Sequence, residues 1–429
     1  MHIADVTHYV KPGTIIEKEA INRATSVYLV DRTVPMLPEK LSNNLCSLRP
    51  DEDKLCFSAV FEMDDNANIL KQWFGRTVIR STNRLSYEEA QMIIDTGEGR
   101  MNDEIQTLHQ LAQMLRKDRF KKGSIAFDRA EPKFLLDEKG KPLSVYFEKE
   151  TTSHHLIEEF MLLANRRVAE FCTGIGTGSR KTESPERKGK GKTGLYRVHD
   201  KPNMDKIKRF AEFAKRFGYT IKTSSERVIA TSINNLLAKV KGKKEENMLV
   251  IIALRSMAKA DYSTDNVGHY GLGFKYYTHF TSPIRRYPDM MVHRLLQYYL
   301  DGEGDVPDKN KLDAMCRQSS SMERRAVEAE RSSIKYKQVE FMSDKLGQTF
   351  NGIISGVTEW GVYIELDGNK CEGMVHIREL NDDLYIFDED NYCIKGKRRG
   401  KTYQLGEPIQ VELCRANLMK KQLDFRIIE

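Results

Sequence analysis

The chain is 429 residues long, 40% hydrophobic and 31% charged, with 69 Lys and Arg against 62 Asp and Glu and a formal net charge of +7. That length holds one large domain and a smaller one, and the mild basic excess permits nucleic-acid binding without demanding it. Seven scattered cysteines (Cys46, Cys56, Cys172, Cys316, Cys371, Cys393 and Cys414) form no C-x-x-C pair, the N-terminus has no leader pattern, and apolar runs such as 248–254 are too short to span a bilayer. The expectation is a soluble, cytoplasmic protein with reduced thiols and no membrane segment.

In chain order, Val78–Ile79 reads as a strand, and Met101, Ile105, Leu108, Leu111 and Leu115 recur at the spacing of an amphipathic helix. Phe134–Leu136 and Leu143–Phe147 read as further strands, followed by a helix over about 154–171. Residues 174–194 are rich in Gly, Ser, Lys and Arg and read as a flexible basic loop. Its Gly191-Lys192-Thr193 invites a phosphate-loop reading, but Glu186 stands where that motif requires glycine and no strand precedes it, so that reading is rejected. Ile207, Phe210, Phe213, Ala214 and Phe217 share one face of a helix over 204–217, which Gly218 stops.

The segment from Tyr277 to Asp289 is the densest in chemistry. Ser282 suits an N-cap and Pro283 a first helical position, predicting a helix from there to about Leu300. Free amides at that helix start, Arg285, Arg286 and His279 would then crowd together, a setting for a phosphate. An arginine pair tied to neighbouring carboxylates fits the same spacing. His269, His279 and His293 match no metal-ligand spacing. A long charged helix is predicted over about 309–345. At Gly347 the pattern changes to strict alternation, with Val362, Ile364 and Leu366 facing a core and Tyr363 and Glu365 facing water. The predicted architecture is α+β: a large mixed domain over 1–346, then a small all-β barrel over 347–429. Lys395, Lys397, Arg398, Arg399 and Lys401 make a charge run, read either as a solvated loop or as a guide for a phosphate backbone.

The stretch HYGLGFKYYTHFTSPIRRYPDMMVHRLL at 269–296 resembles the signature segment of the ribonuclease II/ribonuclease R family. HIADVTHYV near the start, TSVYLVDRTVPMLP at 25–38, LSNNLCSLRP at 41–50 and LIEEFMLLAN at 156–165 resemble the ribonuclease R branch in the same order. NGIISGVTEWGVYIEL followed by CEGMVHIREL resembles an S1-type OB-fold barrel, a module for single-stranded RNA. The resemblance implies a large ribonuclease II-type catalytic domain. It implies a monomeric 3'-to-5' exoribonuclease that hydrolyses single-stranded RNA processively to nucleoside 5'-monophosphates with Mg2+.

Residue by residue, the resemblance places Arg285 on the scissile phosphate, with Arg286 a second candidate and Glu330 lining the site. It places Tyr28 on the 3'-terminal base, Phe127 at the far end of the stacked bases, and Tyr87 and Glu158 at the choice of ribose over deoxyribose. Trp360, Tyr363 and His376 carry over as contacts of the barrel with bases, and His279 sits with the arginines. Each aromatic also fits a plain core role, and Glu158 fits an ordinary helix-start acid. The family's metal-binding aspartates precede the strand that His2–Val6 matches, so no metal ligand is assigned here and neither Asp5 nor Asp31 is promoted. The expectation is therefore an N-terminally truncated enzyme, with a catalytically impaired RNA-binding fragment as the alternative.

Overall fold

The computed structural model describes residues 1–126, 132–148, 150–174, 193–243, 245–301, 308–389 and 391–428. Most of the basic stretch 174–194 and Phe127 lie outside the described residues. An antiparallel sheet of His2–Ala4, Asp53–Met63 and Ile69–Arg80 anchors the first half. The predicted Val78–Ile79 is the end of a 12-residue strand. Register sets Ile3, Phe57 and Arg76 side by side on one face. Phe57 is fully buried there, edge-on to Phe280 at 5.9 Å and to His293 at 5.2 Å.

His293 belongs to the helix Tyr287–Asp301, which begins later than the sequence suggests. Pro283–Arg286 instead form a turn, with the Arg285 and Arg286 amides donating to the Ser282 carbonyl at 3.3 and 3.1 Å. Tertiary backbone pairing overrides the local helix signal. The Ser26 amide donates to the Arg285 carbonyl at 3.0 Å, and the Tyr287 amide donates to the Ala24 carbonyl at 2.8 Å. Ala24 has a left-handed backbone (φ +56°), uncommon for a residue with a Cβ, and so turns the chain into this pairing.

The helix Thr152–Cys172 joins two cores through different faces. Leu156, Phe160 and Leu163 pack on Ala112 of the helix Asn102–Lys121, whereas Ala164, Val168 and Cys172 enter the core of the sheet. Both helices run longer than their apolar periodicity alone marked. The two predicted strands near 140 form a hairpin, Pro132–Leu136 with Pro142–Phe147. A separate helical core gathers Ile207, Phe210, Phe213 and Ala214 of Met204–Arg216 against Ile229, Ile233 and Leu236 of Glu226–Val240 and Leu249 of Glu246–Ser256. Gly218 follows in the left-handed conformation (φ +81°), as a helix stop requires.

The helix Lys309–Ser343, 35 residues and about 50 Å long, is a strut between halves. Its Leu312 and Cys316 are buried in the core of the sheet, and its Val339 and Met342 in that of the C-terminal barrel. The barrel closes through Thr349–Thr358, Gly361–Leu366, Glu372–His376, Gln422–Ile427 and Pro408–Asn417. Val362, Ile364 and Leu366 are fully buried and Tyr363 and Glu365 half-exposed, which is the alternation of a one-sided strand. A small sheet of Tyr385–Asp388, Cys393–Gly396 and Thr402–Gln404 projects from the barrel. It meets the helical core where Tyr392 packs edge-on against Phe213 at 5.2 Å. Among the described residues no helix is long and apolar enough to cross a membrane.

Candidate nucleic-acid interface

Arg285 and Arg286 are neighbours in sequence and opposites in setting. The Arg286 guanidinium reaches Asp289 Oδ1 at 2.8 Å, and the same oxygen accepts the Ser282 amide at 2.7 Å. Asp289 is fully buried. Burial, the largest single influence, works against the Arg286 charge, but Asp289 together with Tyr262 and Tyr277 outweighs it and the pKa rises. Arg286 is thus tied to a carboxylate and closes the turn. Arg285 is exposed, and its guanidinium has no ion pair among the described residues. Its backbone is fixed by Ser26 and by the Thr25 hydroxyl, which donates to the Arg285 carbonyl at 3.2 Å. A rigid turn therefore presents one unpartnered cation to solvent.

The same backbone pairing brings Tyr28 close by. Tyr28 is 45% exposed, on the short strand Val27–Tyr28 that pairs with Thr33–Val34. The tip of this hairpin is pinned to the long helix by the Val30 amide, which donates to Ser333 Oγ at 3.1 Å. Glu330, half-buried, lies three residues before Ser333 and so on the same helix face. The fold thus gathers Arg285, Tyr28 and Glu330 in one neighbourhood. Asp31 in the hairpin pairs with Arg32 at 2.7 Å, and Asp5 is buried, accepting from the Thr7 hydroxyl at 2.8 Å.

His279 lies against Tyr262 and Tyr277. Its Nδ1 is 2.8 Å from the Tyr262 hydroxyl, and the Tyr277 ring stands edge-on at 5.6 Å. Burial first, then Arg286 and Arg197, hold its pKa well below the ordinary histidine value. His269, edge-on to Tyr277 at 5.3 Å, is pushed down to about 3 by burial and by His199 and Arg197. His293 is fully buried, and its Nε2 pairs with the Phe280 carbonyl at 2.8 Å.

A second cluster forms across the helix Thr152–Cys172. Tyr87 opens the helix Tyr87–Thr96, behind the Ser86–Glu89 capping box, and is 44% exposed. Its ring stacks on His154 at 3.9 Å and 13°, an arrangement absent from the sequence reading. His154 and Glu158 are one helical turn apart, so Tyr87, His154 and Glu158 line one face. Glu158 is half-exposed and lies 3.4 Å from both Arg116 and Arg119, whereas Glu159 is buried against Arg119 at 2.5 Å.

On the barrel, Trp360 is 64% exposed at the turn before Gly361–Leu366. Tyr363 and the exposed His376 share the outward face, because His376 lies opposite Gly361, two residues from Tyr363. Gly361 admits no side chain: a Cβ there would lie 2.2 Å from the Val375 carbonyl oxygen. The basic run forms a hairpin tip folded around Asp383, which accepts the Arg398 amide at 2.9 Å and the Arg399 amide at 2.6 Å. Lys395, Lys397, Arg398 and Arg399 are exposed, and their side chains have no ion pair among the described residues.

Among the described residues no three His, Cys, Asp or Glu side chains are grouped to hold a metal ion. The donor set does not fit the Mg2+ that the family resemblance implies, and no chemical step is derived through it.

A sequence-family comparison matches the RNB domain to residues 1–302 and the S1 RNA binding domain to residues 343–427. With more than half of its length so matched, the chain belongs to the RNB domain family and carries an S1 domain behind it. Within that class it is similar to ribonuclease R. It is 37% identical to Ribonuclease R 1 of Lactococcus lactis, over 100% of this chain and 52% of that protein. It is also 37% identical to Ribonuclease R of Aquifex aeolicus, over 100% of this chain and 60% of that one. The chain thus spans half to three fifths of the length of these two relatives. The structure of Mycoplasma genitalium RNase R in complex with ribose-methylated single-stranded RNA superposes with a TM-score of 0.88 at 28% identity, covering 100% of this chain and 66% of that one.

Proposed function

We propose that this chain holds and threads single-stranded RNA as part of a hydrolytic 3'-to-5' exoribonuclease that releases nucleoside 5'-monophosphates. The observation that carries this reading is Arg285: a guanidinium with no ion pair among the described residues, on a turn locked by the Thr25 hydroxyl and the Ser26 amide, two residues along the strand from the exposed Tyr28. Arg285 grips the terminal phosphate, where it stabilises charge that builds on the phosphate oxygens. Tyr28 stacks on the last base and Glu330 lines the site. Tyr87 and Glu158 sit where a carboxylate can accept from a ribose 2'-hydroxyl, which DNA lacks. Arg286 acts through Asp289 as the brace of the turn, and His279 faces the same phosphates. Trp360, Tyr363 and His376 stack on or edge the incoming bases, a contact indifferent to sequence. Hydrolysis by this family is in keeping with a divalent metal.

A second reading, RNA binding without turnover, needs only the exposed Tyr28, Trp360 and His376 and the cation Arg285. One experiment separates the two. The purified protein is mixed with 5'-labelled oligoadenylate at low salt with and without Mg2+, and anisotropy and product length are followed together. Stepwise shortening to a small end product supports the nuclease reading. Binding without shortening supports the second, and absence of binding overturns both.

A further inference from the structure

Tyr262 lies outside every motif used above, yet its hydroxyl has one partner among the described residues, His279 Nδ1 at 2.8 Å. Burial raises the Tyr262 pKa, so the group remains an O–H. A hydroxyl hydrogen with one acceptor within reach donates to it. His279 Nδ1 therefore accepts, and in a neutral ring the proton sits on Nε2. The ring is neutral because burial first, and then the nearby Arg286, Arg197 and Arg285 charges, oppose a second proton.

The surroundings hold this arrangement in place. The Arg197 guanidinium sits over the Tyr262 ring at 4.7 Å and is gripped by both Glu323 oxygens at 2.6 and 2.9 Å. The Tyr262 amide accepts no freedom either, donating to Ser320 Oγ at 2.9 Å. Behind His279, Asn165 fixes the next peptide by accepting the Phe280 amide at 2.8 Å, while its side-chain amide donates to the Tyr277 hydroxyl at 3.2 Å. His279 Nε2 has no hydrogen-bond partner among the described residues, although the residue is only half-buried.

We propose that Tyr262 is a positioning residue that locks His279 in its Nε2–H tautomer, so that a neutral N–H donor meets a non-bridging phosphate oxygen of the RNA held by Arg285. The inference rests on the RNA-binding reading and adds a donor whose strength does not change with pH across the neutral range. An uncharged donor suits a site already holding two guanidiniums, where a third positive charge would be opposed.

The test is nitrogen NMR of the full chain with 15N-labelled histidine, the His279 signal being assigned by its loss in His279→Gln. The expected spectrum has a protonated Nε2 and an unprotonated Nδ1 that do not titrate from pH 6 to 8, and the Nε2 signal moves when oligoadenylate is added. Tyr262→Phe is expected to show mixed tautomers and about two- to tenfold weaker binding. His279→Gln, which keeps an N–H near the Nε2 position, retains more affinity than His279→Leu. A proton on Nδ1, or oligoadenylate binding to the wild-type chain with an unmoved His279 signal, overturns the inference while leaving RNA binding intact. If the wild-type chain does not bind oligoadenylate at all, the underlying reading fails and the inference with it.

Discussion

The arginine turn and the barrel face reach toward the same kind of ligand from opposite constructions. Arg285 is held from about 260 positions away in sequence, by the Thr25 hydroxyl and the Ser26 amide, both donating to its carbonyl, in a pairing that displaces a helix start. Tyr363 and His376 are held by their own alternating strands, two residues apart in register and so on one face. The first region is rigid because distant segments lock it around a buried carboxylate. The second is rigid because a local pattern repeats. Damage should therefore spread in the first and stay confined in the second.

The largest expected effect follows from removing the brace. Asp289→Ala leaves the Arg286 charge without its partner and should destabilise the fold by about 3–5 kcal/mol, read as a lowered melting temperature. If Asp289→Ala melts like the wild type, the distant-lock account fails. Arg285→Ala should leave melting within about 0.5 kcal/mol of wild type and weaken oligoadenylate binding by about 1.5–3 kcal/mol, measured by anisotropy.

Tyr363→Ala tests the other side of the comparison. It should cost about 1–3 kcal/mol of binding by anisotropy, the worth of one stacked base, with melting within about 0.5 kcal/mol of wild type. A pH scan sharpens the contrast, because the first region buries histidines. His269 has a folded pKa of about 3 against an ordinary 6.5, so the unfolded chain binds the proton first as pH falls. Its contribution to stability is complete above pH 6.5 and is lost as pH drops toward 3. Melting temperature should fall over that window, and less steeply in His269→Phe. The smallest effect is expected from neutralising Lys397, Arg398 and Arg399 together. Each lost phosphate contact should flatten the slope of log affinity against log salt by about 0.7, seen in a salt titration.

Legibility in the sequence divides along the same line. The apolar face Ile207, Phe210, Phe213 and Ala214 and the alternation through Val362, Ile364 and Leu366 are local signals, and both were legible. The sheet is less legible: Ile69–Arg80 mixes exposed Leu70, Trp73 and Val78 with polar residues, and Asp53–Met63 buries four consecutive residues, Cys56 to Ala59, so neither keeps a clean alternation. Pro283 carries a helix-start signal four residues ahead of the helix Tyr287–Asp301, and the Thr25–Arg286 pairing overrides it. In the site, Arg285 and Tyr28 were reached through motifs, but the separation of Arg285 from Arg286 needed Asp289 in three dimensions. His154 had a faint signal, one helical turn before Glu158. Tyr262 and Glu323 had none, for their partners come from remote segments.

The helix Lys309–Ser343 holds adjacent residues in two different grips. Ser333 receives the Val30 amide of the Tyr28 hairpin, and Ser332 receives Lys421 from the loop before the last barrel strand. The Tyr28 hairpin and the C-terminal barrel are thus fastened to neighbouring rungs of one rod. That rod acts as a caliper with a set gap. Lengthening or shortening it between Ser333 and Val339, where it enters the barrel core, would pull the Lys421 contact and that core out of step.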